Sequence, residues 1–137
     1  MAGMELPQWS ERLSVGHAVL DQHHRQLFAL TGRAARLVES GADLAQLREL
    51  LAELVRYTAY HFAEEERLMA AAGYPFLDLH RDSHRGIVMR LEDLAETANQ
   101  RPLGAVLADT ALFLSGWLVH HIEIEDFEYR DCVGATA

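Results

Sequence analysis

A disulfide framework is excluded at once, because the chain has a single cysteine, Cys132, close to its C-terminus. One thiol forms no internal bridge, and a reducing compartment is the expectation. Positive charge is also scarce. Twelve basic residues stand against twenty-one acidic ones, a net charge of −9 with histidine neutral. The basic residues form no run, so nucleic acid and anionic membrane surfaces are poor partners. Long apolar stretches are missing too. The most apolar run, "ALFLSGWLV" (111–119), is too short to span a bilayer, and membrane insertion is not expected. The opening "MAGMELPQWSERL" has neither a basic n-region nor an apolar h-region, so no secretory signal is read there. The expected location is cytoplasmic. Strand alternation, internal repeats and low-complexity tracts are absent as well.

What is present is helical period. Half of the 137 residues are apolar, enough for one globular domain over residues 1–137 with a single core. Residues 1–17, with Pro7 and Gly16, read as an extended arm that can lay Leu6, Trp9 and Leu13 on the body. A first helix is expected over about 19–39, with Leu20, His24, Leu27, Phe28, Thr31 and Val38 recurring at three and four. Ser40-Gly41-Ala42 ends it. Asp43 and Gln46 make a capping box for a second helix, about 44–72, striped by Leu47, Leu50, Leu54, Tyr57, His61, Glu65 and Leu68. Gly73 suits the C′ position, and Tyr74-Pro75 forbids continuation. A third helix is expected over about 76–99. Pro102 opens a fourth, about 102–121, with Val106, Thr110, Phe113, Trp117 and His121 inward. The fold class that follows is all-α: an up-down-up-down four-helix bundle with an extended N-terminal arm.

The polar residues on these stripes carry the chemistry. Positions four apart on a helix differ by only about 40° in direction, so His61 and Glu65 point one way, and His80 and His84 point one way. His24 and His121 lie on the apolar faces of the first and last helices. A lone inward histidine is ordinarily a hydrogen-bonded core residue. Five of them with a glutamate, spread over four helices, would cost roughly 1–3 kcal/mol for each unsatisfied group. Total stability is only about 5–15 kcal/mol. A metal turns that cost into bonds. Imidazole with carboxylate suits iron, zinc, copper or manganese, and donor type alone does not choose among them.

Two common motifs are absent. "HRDSH" (80–84) has Arg81 where H-E-x-x-H needs glutamate, and no Glu-x-x-His pair occurs. Instead, "SVGHAVLDQHHRQLF" (14–28), "HFAEEERLM" (61–69), "HRDSH" (80–84) and "WLVHHIEIEDFEY" (117–129) resemble, in order and interval, the motifs of the hemerythrin family, in particular its single-domain bacteriohemerythrins. The resemblance spans Trp9 to Tyr129. It implies a cofactor of two iron ions with an oxo or hydroxo bridge. His80, His84 and His121 would hold one iron, His24 and His61 the other, with Glu65 and Asp126 bridging. Two octahedral irons offer twelve places. Five nitrogens, four carboxylate oxygens and a shared oxygen counted twice fill eleven, which leaves one for dioxygen. The resemblance further implies an oxygen pocket of Leu27, Phe62, Trp117, Leu118 and Ile122.

One interval needs explaining. His121 and Asp126 are five apart, which on a regular helix sets them about 140° from each other. The segment must hold a local irregularity, of the kind a π-bulge supplies, and a break in the helix between Ile122 and Asp126 is expected. The other polar residues read as bystanders. His17, His23 and His120 are surface histidines, Glu64, Glu66, Glu123 and Glu125 are solvated, and Cys132 is a spectator thiol. Asp21 caps its helix or orients a ligand imidazole.

The resemblance implies reversible dioxygen binding and no enzyme activity: a carrier, a store or a source for oxygen-consuming client enzymes. Two alternatives stay open: an oxygen or redox sensor acting through a partner, and a di-iron enzyme handling peroxide or nitric oxide. Oligomeric state is not read from the sequence.

Overall fold

The computed structural model describes residues 8–41, 43–98 and 100–133, with the side chains of Val38, Ala111 and Ser115 left aside. Leu6, Pro7, Ala42, Asn99 and the Val38 side chain, all used above, lie outside the described residues. A 3-10 turn over Glu11–Leu13 precedes α1 (Ala18–Ser40), α2 (Leu44–Ala71), α3 (Leu77–Thr97) and α4 (Leu103–His120). A π-helical segment, His121–Asp126, then leads into α5 (Phe127–Val133). The bundle is built by the apolar stripes of the four long helices, with Leu27, Leu30, Leu54, Phe62, Leu114 and Leu118 in its central core. Among the described residues there is no strand.

Local chemistry sets the helix ends. The Asp43 carboxylate accepts from the Gln46 N–H at 2.9 Å, and the Gln46 side chain accepts from the Asp43 N–H at 3.2 Å, which closes the capping box. At the far end of α2, Gly73 takes φ of 70°. That left-handed residue lets the Tyr74 N–H reach the Met69 carbonyl (3.0 Å) and the Gly73 N–H reach that of Ala70 (3.1 Å), a Schellman turn.

The last helix differs from the expectation of an end near residue 121. The chain does not stop there; it widens into the π segment and runs on to Val133. The break expected between Ile122 and Asp126 is not there: the irregularity is a wider turn within a continuous helix. Its i→i+5 pairing brings residues five apart onto one face, so His121 and Asp126 are both buried. The helix from Leu103 to Val133 is long and apolar enough, by length and composition alone, to cross a membrane, with mean hydropathy 1.4 in its most apolar window. Here Trp117, Leu118, His121, Ile122 and Asp126 are buried in the protein itself.

The segment before α1 is tied down by Asp21. Its carboxylate accepts from the Val15 N–H at 2.9 Å and from the Ser14 hydroxyl at 2.6 Å, with Leu13 and Val15 fully buried. Trp9 packs on the central core and carries the Arg25 guanidinium 4.1 Å over its ring. Asp21→Ala would leave the buried Val15 N–H without its acceptor, at about 1–3 kcal/mol. The expected result is a Tm lower by about 5 °C in a thermal melt, with metal content unchanged.

Candidate metal centre

Seven side chains from α1, α2, α3 and the π segment converge between the helices. His24, His61, Glu65, His80, His84, His121 and Asp126 are each at most 4% exposed. Helical spacing delivers them in pairs: His61 with Glu65 on α2, and His80 with His84 on α3. The π segment supplies His121 with Asp126.

Glu65 divides its two oxygens. Oε2 lies 3.2 Å from His61 Nε2 and 3.5 Å from His24 Nε2. Oε1 lies 2.8 Å from His84 Nε2 and 3.2 Å from His80 Nε2. Asp126 divides in the same sense. Its Oδ2 faces His24 Nε2 at 3.3 Å, and its Oδ1 faces His80 and His121 Nε2 at 3.0 and 3.1 Å. Each carboxylate therefore reaches both a two-histidine set and a three-histidine set. Two donor groups result: Glu65, His80, His84, His121 and Asp126 form one, and His24, His61 and Glu65 form the other.

Apart from the His80 Nε2 hydrogen bond with Glu65 Oε1, these approaches are close without being aligned as hydrogen bonds. Nε2 of His24, His61, His84 and His121, and both oxygens of Asp126, are buried without a hydrogen-bond partner among the described residues. Such a concentration of orphaned groups is costly if nothing sits among them. Neighbouring donors around an ion bound at about 2.1 Å stand about 3 Å apart. The donor set, its spacing and its unmet bonds fit metal binding, with Glu65 common to both donor groups.

Electrostatics point the same way. Burial alone would lower the His24, His80 and His121 pKa values, but Asp126 and Glu65 outweigh it. They raise the three to about 9, about 9 and about 10. His61 is pushed down by burial in spite of Glu65. Glu65 and Asp126 lie below the usual carboxylate range, because the surrounding imidazoles overcome their burial. Protons on histidine thus neutralise the two buried carboxylates in the metal-free fold, the charge a metal would supply.

Three residues read as solvent-facing turn out to hold these imidazoles from behind. His23 is buried, with Nδ1 3.0 Å from Nδ1 of His61. A Glu66 oxygen lies 2.8 Å from His84 Nδ1, and a Glu125 oxygen 2.5 Å from His121 Nδ1. Glu125 also accepts from the Ser83 hydroxyl at 2.7 Å, and the His121 contact helps hold it down at about 2. The signal for Glu125 was available: it is four after His121, on the side of a helix that an imidazole Nδ1 can reach. Glu66 and His23 sit about 100° from inward residues, and only the direction of the neighbouring helix decides their contacts. A further contact, with no signal in the spacing, is the Tyr129 hydroxyl, fully buried and donating to Glu65 Oε2 at 2.7 Å. Burial and the adjacent carboxylates push that phenol well above its ordinary pKa, so the proton stays on it. His17 and His120 lie outside the cluster, and Asp21 anchors the arm. Cys132 donates to the Ala72 carbonyl at 3.3 Å.

Leu27, Phe62, Trp117, Leu118 and Ile122 are all buried in the central core beside this cluster. Phe62 stacks flat on His84 with centroids 3.6 Å apart and meets Trp117 edge-on at 6.4 Å.

Comparison with known proteins gives consistent matches. The model of the family described as Hemerythrin HHE cation binding domain matches residues 15–132. A bacteriohemerythrin from Stenotrophomonas maltophilia is 35% identical, over 96% of this chain and 84% of its own length. A myohemerythrin from Riftia pachyptila is 33% identical, over 89% of both. A crystal structure of wild-type hemerythrin superimposes with a TM-score of 0.84 at 26% identity, covering 95% of this chain and 99% of that one.

Proposed function

Since the chain belongs to the hemerythrin family, we propose that its buried donors hold two iron ions and that the pair binds dioxygen reversibly. His80, His84 and His121 would hold one ion and His24 and His61 the other, with Glu65, Asp126 and a solvent-derived oxygen shared between them. The observation that carries this reading is the division of both carboxylates, each presenting one oxygen to either histidine set. When bound, a ferrous pair supplies the two electrons that dioxygen takes up on binding.

The chain's own part is to position and to exclude. Helical spacing fixes five imidazoles with Nε2 inward. Glu66, Glu125 and His23 fix the ring orientations from behind, and Tyr129 holds Glu65. Leu27, Phe62, Trp117, Leu118 and Ile122 would wall the oxygen side with hydrocarbon and aromatic surface, leaving water little access. A carrier, store or delivery role is the one favoured, with an oxygen-consuming enzyme as client.

Iron analysis after anaerobic loading with ferrous salt, followed by cycles of oxygen and argon, tests this. Two irons per chain and a visible band that returns in each cycle are expected. Fewer irons would overturn the reading. Steady turnover of peroxide or nitric oxide would replace the carrier with an enzyme. Within this reading Leu118→Ala opens the apolar wall, and conversion to the diferric state should run several-fold faster, followed by absorbance, with both irons retained. An unchanged rate would remove Leu118 from the wall.

A further inference from the structure

His23 and His24 are consecutive on α1 and therefore project about 100° apart. His24 turns to the two carboxylates, while His23 turns to α2. There its Nδ1 lies 3.0 Å from Nδ1 of His61, the rings nearly perpendicular at 5.1 Å. The His23 side chain is buried, with the rings of Tyr57 and Tyr60 at 6.0 and 5.3 Å.

Two ring nitrogens at that distance share one proton. His61 presents Nε2 to Glu65 and the metal-binding group. A nitrogen that donates a lone pair to a metal carries no proton, so the His61 proton must sit on Nδ1. His61 then donates, and His23 Nδ1 accepts as a bare nitrogen on a neutral ring. Two of the three histidines of the other set are backed differently. His84 and His121 donate to the carboxylates of Glu66 and Glu125. A carboxylate behind an imidazole draws on its N–H and raises its basicity toward the metal, and a neutral ring does so far less.

We propose that His23 is a positioning residue: it fixes the tautomer of His61 and, being uncharged, keeps the two-histidine ion poorer in electron density than its carboxylate-backed neighbour. An electron-poor ferrous ion gives up its electrons less readily, so this imidazole slows irreversible oxidation at the two-histidine ion. The inference rests on the di-iron reading.

Three substitutions separate the effects. His23→Glu places a carboxylate behind His61, His23→Gln keeps a neutral acceptor, and His23→Leu removes the acceptor. The first measurement uses zinc(II) as a diamagnetic probe. Proton–nitrogen NMR of the zinc-loaded protein should show the His61 proton on Nδ1 opposite an unprotonated His23 Nδ1. In His23→Leu, affinity for the second zinc equivalent should fall about tenfold or more. The second measurement uses the iron-loaded protein. His23→Glu should oxidise to the diferric state several-fold faster and at a lower midpoint potential, while His23→Gln stays at the wild-type rate. A proton found on His23 Nδ1 in the zinc form, or equal rates and potentials for Glu, Gln and wild type, would overturn the proposal. Wild-type protein that binds fewer than two metals would overturn the di-iron reading first, and this inference with it.

Discussion

On the proposed di-iron reading, replacing Glu65 by glutamine should cut the bound iron from two to at most one, with loss of oxygen-dependent absorbance. Glutamine matches glutamate in size, so the effect is one of charge. Glu65 is fully buried, and its two oxygens reach four imidazole nitrogens between them. An amide keeps one neutral acceptor and presents an NH2 group to the other histidine set, where two protons point at the metal's place. Affinity for the second ion should drop by more than about 100-fold, beyond the range of changes made behind a ligand. Glu64→Gln is the control. Its carboxylate pairs with Arg67 at the surface one residue away, and it should load two irons as the wild type does. Iron analysis and near-ultraviolet absorbance read both variants, and a Glu65→Gln protein with two tightly held irons would remove the shared carboxylate from the account.

The second large effect is a pH dependence that belongs to the metal-free protein. On folding, the carboxylates Asp126 and Glu65 outweigh burial and raise His24 and His80 to about 9 and His121 to about 10. The unfolded value is about 6.5. A group raised on folding holds its proton more tightly in the native state, so its stabilisation is complete below about 6.5 and fades as pH rises through 9 to 10. Glu65 and Asp126 are shifted the other way, and their contribution is lost only under acid conditions. Stability of the metal-free chain should therefore fall between pH 6.5 and 10. Each pKa unit is worth about 1.4 kcal/mol, and the three histidines share the same two carboxylates, so a combined loss of about 3–5 kcal/mol is expected. Thermal melts should show the metal-free Tm falling by on the order of 10 °C over that range. Metal-loaded protein, in which ions have displaced the protons, should stay nearly flat. A flat profile for both would mean the imidazoles are neutral in the metal-free fold.

Much of this was legible in the sequence because helical spacing is rigid. Residues four apart must share a face, so His61 with Glu65 and His80 with His84 were readable as inward pairs. The five-residue interval from His121 to Asp126 announced a local irregularity, and the structure supplies a π segment. What the interval could not say was that the helix continues to Val133, since either an end or a wider turn would serve. The residues behind the inward histidines are hard to read from sequence for a physical reason. Glu66, Glu125 and His23 are polar and sit beside inward positions, which describes most solvated residues as well. The His23 and Glu66 contacts depend on how α1 and α3 lean on α2, a property of packing that no spacing within one helix records, whereas Glu125 meets the histidine four residues before it. Tyr129 lies 64 residues from Glu65, and no interval in the sequence links the two.

The capping box that opens α2 stands 22 residues before Glu65, and Leu47 stands 18 before it, about 27 Å down the rod. At that foot the bundle is fastened by Leu47, Leu51, Ala98 and Val106, a hydrocarbon clasp without an ionisable group. Beyond the polar cluster the other end has an apolar clasp of its own, built by Val15, Leu20, Met69, Tyr74, Tyr129 and Val133. With the polar cluster free of metal both apolar clasps remain, so the chain can keep its tertiary arrangement before any ion enters. The bends beside Gly41 and Arg101 are accordingly where an extra segment or a fused module could be grafted with least disturbance to the cradle at the other pole.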